Sequence, residues 1–328
     1  MNGALLAYCV VALVVTLLAA VLYRHAWSSV RGPDRVPTGF GAFLAPVLLG
    51  AAATAGASSE LMIALCAIGM ATLIYWIDDA VELSAHIRLL IAFVTGAIVA
   101  ATYTVTDPQY ALPVMLGIIV AAGFIAVALT NMVNFCDGAD LNLATFIALT
   151  AVFILLFVPP DQEWATLAAA MIAFIVPFAA LNRRPRTIYL GDSGSFAFAG
   201  VLTLMAVAFL EDFANLPPEA ALPAALPALD VFYVFTVRVW ERHDLLSRNY
   251  MHLYQRLNRR YEGWGYLLPQ LINPVLCLFA AWSLQGLGIG RILSVVVAMV
   301  TVTIPFYFLC RRLFLSGPVE GPLQESRS

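Results

Sequence analysis

The chain has no lysine, few charged residues of any kind and an odd number of cysteines. Of its 328 residues 11% are charged, whereas 62% are hydrophobic. Typical soluble domains carry about 25% charged residues, so a soluble fold of this size is excluded. The five cysteines lie in or beside apolar segments, and no disulfide framework is expected. We expect no nucleic-acid partner for a chain of this composition.

Long apolar runs take the place of charge. Eleven windows are candidates to cross about 30 Å of hydrocarbon, and they cover 5–23, 40–57, 61–77, 89–105, 112–129, 143–158, 164–181, 196–213, 223–239, 267–287 and 292–314. We therefore predict an all-α, polytopic helical bundle in the lipid bilayer, with about eleven transmembrane helices in one domain over 1–328. Some windows are short, and a re-entrant pair is an alternative. The first run is expected to be a retained helix rather than a signal peptide.

The arginines predict the orientation of the bundle. In the eleven-span arrangement sixteen of the seventeen arginines fall on one side, and only Arg291 falls on the other. Because basic residues are enriched in cytoplasmic loops, the N-terminus is predicted to lie outside and the C-terminus in the cytoplasm. Residues 240–266 then form a cytoplasmic loop with an amphipathic helix between the ninth and tenth spans.

Adjacent carboxylates stand at the inner end of the third span. Asp78 and Asp79 repel each other unless a cation or a proton lies between them, which favours a divalent ion at this position. A solvated helix end is the alternative interpretation.

A second polar cluster occupies the stretch NMVNFCDGADLNLA, residues 131–144. The i+3 spacing of Asn131, Asn134, Asp137 and Asp140 would align them on one helical ridge, whereas the Asp-Gly pair at 137–138 is equally typical of a turn. Such side chains can hold a ribose, a uracil edge or metal-bound water. A polar loop without a ligand is the alternative.

Three further residues carry candidate chemistry. Asp192, in the stretch TIYLGDSGS, could ligate a metal beside glycines that let an anion approach the backbone. Asp230 lies inside the ninth span, where an ionised carboxylate costs about 2.5 to 3.5 kcal/mol, so it requires a partner on another helix or a proton. His252 is a candidate phosphate donor or metal partner, although a single histidine is more often structural.

In their order along the chain, these clusters resemble the motifs of the polyprenyl-phosphate N-acetylhexosamine-1-phosphate transferase superfamily, of the glycosyltransferase family 4 type. PTGFG at 37–41 is similar to PTPRxGG, DDAVE at 78–82 to DDxxD, NMVNFCDGAD at 131–140 to NxxNxxDGxDG, LNRRPRTIYLGDSGS at 181–195 to FNxxPxxxFxGDxGS, and MHLYQRL at 251–257 to HxHHxL. Each motif is weak alone, but five in this order are specific.

The resemblance implies a Mg²⁺-dependent enzyme of the bacterial inner membrane whose active site faces the cytoplasm, with Mn²⁺ as a possible substitute. Such an enzyme transfers an N-acetyl amino sugar 1-phosphate from a UDP-sugar to undecaprenyl phosphate. It releases UMP and starts a lipid-linked cell-envelope polysaccharide of the O-antigen type, a step in lipopolysaccharide biosynthesis. A homodimer is left open.

The resemblance also implies a role for each matching residue. The catalytic residues would be Asp78, Asp79 and His252, and the metal ligands Asp192 and Asp79. The nucleotide-sugar site would contain Asn134, Asp137, Asp140, Asn182 and Tyr189. Arg35 and Arg88 would bind phosphate.

Departures from the motifs bear on the donor sugar. Glu82 replaces the third aspartate of DDxxD, Leu141 replaces the second glycine of DGxDG, and Tyr254 and Gln255 stand where many members have histidine. The HLYQRL form is closer to the branch that uses 6-deoxy amino sugars such as N-acetylfucosamine or N-acetylquinovosamine. The alternative function is a cation-coupled membrane transporter that uses Asp230 and the inner carboxylates.

Overall fold

The computed structural model describes residues 3–31, 36–81, 83–105, 110–160, 162–182, 187–211, 216–243, 251–261 and 264–315. Within these ranges the chain is helical and has no β-strand. The α-helices, in chain order, are α1 (Gly3–Arg31), α2 (Leu44–Ala55), α3 (Ser59–Val81), α4 (Ala85–Thr104), α5 (Leu112–Cys136), α6 (Asn142–Phe157), α7 (Glu163–Asn182), α8 (Gly191–Glu211), α9 (Ala225–Trp240), α10 (Leu253–Arg260), α11 (Leu268–Gly286) and α12 (Arg291–Leu315). Short 3-10 helices precede α2, α9 and α11, at Phe40–Phe43, Pro218–Ala224 and Gly265–Leu267.

The prediction of an all-α, polytopic membrane protein is confirmed. In the part of the chain that the structure describes, nine helical segments are long and apolar enough to cross a membrane. Two more of the predicted windows form the shorter apolar helices Phe40–Ala55 and Asn142–Phe157. A 16-residue α-helix rises only about 24 Å, less than the hydrocarbon thickness. The number of crossings and the orientation of the termini therefore stay predictions.

The helices differ in how deeply they are buried. Of the nine long segments α7 and α8 are the most buried, whereas α1 and α5 expose most of their apolar surface. Lipid is as apolar as leucine, so exposed apolar faces at the periphery of a membrane bundle are expected. α8 is thus a central helix, and its first turn lies at a fixed place in the bundle.

Loops that the arginine pattern assigns to the same side contact one another. On the predicted outer side the Ser58 hydroxyl donates to Glu163 over 3.3 Å. The Arg291 guanidinium contacts Glu219 there at 2.9 Å. The acidic motifs meet at the opposite end of the bundle, described below. The two ends of the bundle are therefore chemically distinct, as the sequence predicts.

α10 lies within the predicted loop 240–266. Its Leu253 and Leu257 are buried, and Arg259 and Arg260 are exposed. Residues 244–250 and 262–263 of this loop lie outside the described residues. The location of the loop in the cytoplasm remains a prediction.

Aromatic contacts hold the segments of the acidic end in place. The Phe40 ring stacks on Phe174 of α7, with the ring centroids 5.6 Å apart. Tyr75 of α3 stacks on Phe196 of α8 at 4.2 Å, and its hydroxyl donates to the backbone carbonyl of Arg88 over 2.7 Å. Tyr75 and Phe196 lie about one helical turn from Asp79 and Asp192, so the contacts of Tyr75 fix the relative position of α3, α4 and α8 at the site.

Candidate active site

Two extended segments pair at the acidic end of the bundle, immediately before α8. The Tyr189 N–H donates to the Pro37 carbonyl over 2.7 Å, and the N–H groups of Phe40 and Gly41 donate back to Tyr189 and Leu190 over 3.2 and 2.9 Å. PTGFG is thereby bound to IYLGDSG across about 150 residues of sequence. This pairing brings the first and fourth motifs together.

Glycine is required at two positions of this pairing. Gly191 has φ 76°, a left-handed conformation, and a Cβ there would lie 2.6 Å from both carboxylate oxygens of Asp79. A Cβ on Gly41 would overlap the backbone of Gly194 and lie 2.9 Å from the Leu190 carbonyl oxygen. The glycines of PTGFG and GDSGS thus let two backbones and one carboxylate approach closely.

Asp79 caps the N-terminus of α8 from another helix. Its carboxylate accepts hydrogen bonds from the N–H groups of Asp192 and Ser193 over 2.8 and 3.3 Å, and from the Ser193 hydroxyl over 2.8 Å. The first N–H groups of a helix have no partner within the helix and carry a partial positive charge, which favours a carboxylate at this place. Asp79 therefore determines where Asp192 lies.

Arg88 joins Asp78 to Asp192. Its Nε lies 2.9 Å from Asp78 Oδ2, and its Nη1 lies 3.1 Å from Asp192 Oδ2. Asp78 is only 2% exposed and also accepts the N–H of Leu83. Consecutive helical residues point about 100° apart, so Asp78 and Asp79 take different partners. The sequence favours a divalent ion between the two carboxylates. In the structure Arg88 and the N-terminus of α8 neutralise them instead.

Asp192 lies where α4, α5 and α8 meet. Its Oδ1 accepts a hydrogen bond from the Asn134 amide over 3.0 Å, while its Oδ2 accepts from Arg88. Burial raises the pKa of the nearby Asp137 carboxyl well above its usual range, and the negative charges of Asp192 and Asp79 raise it further. The carboxylates of three motifs therefore share one electrostatic environment, which favours a cation.

The donor set at Asp192 fits magnesium. Among the described residues, no group of three His, Cys, Asp or Glu side chains could hold a metal ion by itself. Mg²⁺ usually binds through one or two carboxylates, with water and substrate phosphates as its other ligands. Asp192 suits this role because 34% of its side chain is exposed. Asp79 accepts three hydrogen bonds from the start of α8, whereas Asp192 accepts one at each oxygen, so Asp79 is less available.

The stretch 131–144 is part helix and part turn. Asn131 and Asn134 lie on α5, which ends at Cys136, and a turn follows in which Leu141 has φ 61°. Asp137 and Asp140 thus lie beyond the helix, so the single four-residue ridge is wrong from Asp137 onwards. The turn breaks the helical register and lets Asp137 approach Asp192 and Asp79.

Asn182 ties this turn to the segment before α8. Its side-chain oxygen accepts the N–H of Leu141 over 2.9 Å, and its amide donates to the Ile188 carbonyl over 2.8 Å. Asp140 is buried beside this turn, and its backbone carbonyl accepts the Tyr266 hydroxyl. In the structure Asn182 therefore orders two predicted nucleotide-binding segments, and whether its side chain also contacts a nucleotide stays a prediction.

His252 lies against the end of α5. The residue is 2% exposed, its Nδ1 is 3.0 Å from Asp230 Oδ2, and its ring stacks on Phe135 with centroids 5.3 Å apart. The Tyr254 hydroxyl donates to the Phe135 carbonyl. The fifth motif is thereby packed on the residue that follows Asn134. Arg35, which is predicted to bind phosphate, and Glu82 of DDAVE lie outside the described residues.

Asp230 lies within an apolar span, and neighbouring groups donate hydrogen bonds to its carboxylate. Its carboxylate accepts the Tyr307 hydroxyl over 2.7 Å and the Leu253 N–H over 3.0 Å, in addition to its contact with His252. The expectation of a group on another helix is confirmed, since Tyr307 belongs to α12. Tyr307 could not be predicted from the sequence, because one tyrosine within an apolar span carries no pattern.

A cavity of about 40 Å³ lies between α9, α10 and α11, with Asp230 and Gln270 at its wall and mostly apolar residues around them. About 10 to 15 Å³ of such space holds one water molecule. This cavity therefore has room for a few waters, and it is too small for a nucleotide sugar.

Comparison with known proteins finds relatives of this chain. Residues 61–210 match the family model for glycosyl transferase family 4. The chain is 38% identical over 88 residues to the phospho-N-acetylmuramoyl-pentapeptide-transferase of Clostridioides difficile, which covers 26% of this chain and 27% of that protein. It is 26% identical over 187 residues to the protein of the same name from Rhodopseudomonas palustris, which covers 52% of this chain and 50% of that protein.

The chain thus spans between about a quarter and a half of the length of these relatives. The matched region 61–210 contains the DDAVE, NMVNFCDGAD and GDSGS motifs, and PTGFG and MHLYQRL lie outside it. On these matches and the motifs within them, the chain belongs to the polyprenyl-phosphate N-acetylhexosamine-1-phosphate transferase superfamily of the glycosyl transferase family 4 type.

Proposed function

We propose that this protein transfers an N-acetyl amino sugar 1-phosphate from a UDP-sugar to undecaprenyl phosphate, with release of UMP. One observation carries the proposal. Side chains from three separate segments, Arg88, Asn134 and Asp79, converge on Asp192 and on the first turn of α8 at one end of a membrane bundle. A nucleotide sugar from water and a phosphate on a lipid can meet at such a place.

The proposed reaction exchanges one phosphoanhydride bond for another. An oxygen of the lipid phosphate attacks the β-phosphorus of the UDP-sugar, the bond from that phosphorus to the bridging oxygen breaks, and UMP leaves with that oxygen. The sugar keeps its bond to the β-phosphate. The lipid phosphate is already ionised at neutral pH, so the reaction needs no general base.

Both substrates are polyanions, and the site must offset their repulsion. Mg²⁺, when bound at Asp192, would stabilise the charge that develops on the leaving phosphate. Arg88 supplies a guanidinium that is 35% exposed, and Asp78 holds it from behind at 2.9 Å. A guanidinium in this position can bind a substrate phosphate through two of its N–H groups. Asp78 thus orients a phosphate-binding arginine.

The donor sugar is proposed from the departures in the motifs. The two relatives described above carry the name phospho-N-acetylmuramoyl-pentapeptide-transferase. Here Tyr254, at a position where many members have histidine, donates to the Phe135 carbonyl and packs over Gly138. We propose a 6-deoxy or other simple N-acetyl amino sugar as donor, for a polysaccharide of the O-antigen type, rather than a muramoyl pentapeptide.

The transporter alternative is less well supported. A transporter places its polar groups near the bilayer midplane with access from both faces, whereas the acidic motifs here lie at one end of the bundle. Asp230, the intramembrane carboxylate that a transporter would use, accepts hydrogen bonds from His252, Leu253 and Tyr307. We place the arginine-rich end at the cytoplasmic face of a bacterial inner membrane. A nucleotide sugar from the cytoplasm would then reach the site directly.

A donor panel tests the proposal. The purified protein, with undecaprenyl phosphate and Mg²⁺, should release UMP from UDP-N-acetylfucosamine, UDP-N-acetylquinovosamine or UDP-N-acetylglucosamine, and not from the UDP-muramoyl pentapeptide. EDTA should abolish release, and added Mg²⁺ or Mn²⁺ should restore it. UMP is quantified by chromatography. Substrate binding without UMP release for every donor would support a transporter and contradict the proposal.

A further inference from the structure

The partners of Asp230 form a buried chain that ends at His252. Arg311 donates to the Tyr307 hydroxyl over 3.0 Å, and Tyr307 donates to Asp230 Oδ1 over 2.7 Å. Asp230 Oδ2 in turn faces His252 Nδ1 at 3.0 Å. Asp230 is 6% exposed, and three donors hold its charge in place. Both carboxylate oxygens of Asp230 thus have a hydrogen-bond partner.

This geometry fixes the tautomer of His252. A carboxylate can only accept, so Nδ1 carries the proton in its contact with Asp230. The neutral ring then has its lone pair on Nε2. That atom is fully buried and has no hydrogen-bond partner among the residues that the structure describes. A buried polar atom without a partner is unfavourable, so its presence calls for an explanation.

The place of His252 provides the explanation. Its ring stacks on Phe135, which follows Asn134, and Asn134 donates to Asp192. Phe135 and Asn134 thus connect His252 to Asp192, the residue proposed to hold the cation. An imidazole with Nδ1 bound to a carboxylate can take up a proton on Nε2 and donate it as a charged hydrogen bond to a phosphate oxygen.

We propose that Asp230 is a positioning residue for the transfer reaction: it holds His252 in the Nδ1–H tautomer so that Nε2 serves a substrate phosphate. The inference rests on the proposed function for the identity of that phosphate. It assigns the intramembrane carboxylate to the enzyme's own site, through a histidine, rather than to ion transport. No proton is transferred between Asp230 and His252 in this account.

The substitution Asp230→Asn tests the proposal at constant size. Tyr307 and Leu253 make their shortest contacts to Oδ1, so the asparagine oxygen should take that position and its NH₂ should face His252. The imidazole must then accept at Nδ1 and carry its proton on Nε2. We expect kcat to fall about 10²-fold, with KM for the nucleotide sugar changed less than about threefold.

Spectroscopy separates positioning from mere support. In protein labelled with ¹⁵N-histidine, the His252 signals, identified by their loss in His252→Asn, should report Nδ1–H in the parent protein and Nε2–H in Asp230→Asn. Adding Asp230→Asn to a His252→Asn background should cause no further loss of kcat. Glu219→Gln is the matched control: it also removes a buried carboxylate, at the other end of the bundle, and should leave kcat and the His252 signals unchanged.

The outcomes are distinct. An unchanged tautomer or an unchanged kcat in Asp230→Asn would overturn the proposal, as would a further loss in the His252→Asn background, which would make Asp230 a purely structural residue. If no donor gives UMP with the parent protein, the proposed function fails, but the ¹⁵N signals still decide whether Asp230 sets the tautomer. Thermal unfolding of each variant in detergent shows that the fold is retained.

Discussion

Replacement of Asp192 by asparagine is expected to lower UMP release by roughly 10²- to 10³-fold. The change keeps the size of the side chain and an oxygen for Asn134, but it removes the charge that would bind Mg²⁺. A metal ion that stabilises developing charge contributes several kcal/mol, and each 1.36 kcal/mol is a factor of ten in rate. The measurement is initial UMP release at saturating Mg²⁺, together with Mn²⁺ binding followed by electron paramagnetic resonance.

Glu60→Gln is the control for this prediction. It makes the same carboxylate-to-amide change at the other end of α3, where Glu60 accepts a hydrogen bond from its neighbour Ser59. It should retain full activity and full Mn²⁺ binding. Activity of Asp192→Asn within about threefold of the parent protein would remove Asp192 as the metal ligand.

Replacement of Gly41 by alanine is expected to lower activity at least about 10²-fold. The added Cβ would overlap the Gly194 backbone and lie 2.9 Å from the Leu190 carbonyl oxygen. Backbone atoms cannot turn aside as a flexible side chain can, so the paired segments must separate and the first turn of α8 must shift. A misplacement of about 1 Å at a catalytic group can cost about 10²-fold in rate.

Gly117→Ala serves as the control for the glycine change. Gly117 lies in α5, and a Cβ there meets nothing within 4 Å. Alanine is also the better helix former, so this variant should unfold at the same or a slightly higher temperature and keep its activity. If Gly41→Ala kept the parent activity, the pairing of PTGFG with the α8 entry would not position the site.

Much of the site could be predicted because chemistry and position coincide in the sequence. Asp78, Asp79, Asn134 and Asp192 stand at the ends of apolar windows that the arginines assign to one side, and the structure does bring them together. The need of Asp230 for a partner also follows from its place in an apolar window. These predictions depend on the order of apolar and polar residues along the chain and on the side of the membrane to which each loop is assigned.

Other features depend on contacts between distant residues. Asp79 caps a helix that begins more than 100 residues later, and nothing in the sequence around Asp79 indicates this role. The sequence left open whether a ridge or a turn forms at 131–144. In the structure α5 ends at Cys136, and in the turn that follows, Leu141 takes a left-handed conformation and donates its N–H to the distant Asn182. Such outcomes are set by packing, and only the folded structure reveals them.

The central claim is that the β-phosphate travels with the sugar to the lipid. A UDP-N-acetyl amino sugar labelled with ³²P in its β-phosphate, incubated with the protein, undecaprenyl phosphate and Mg²⁺, tests it most directly. We expect the label to move into the organic phase in a diphosphate-linked lipid, with an equal amount of unlabelled UMP in the aqueous phase. Label that stays in water as UDP, or in intact donor, would contradict it.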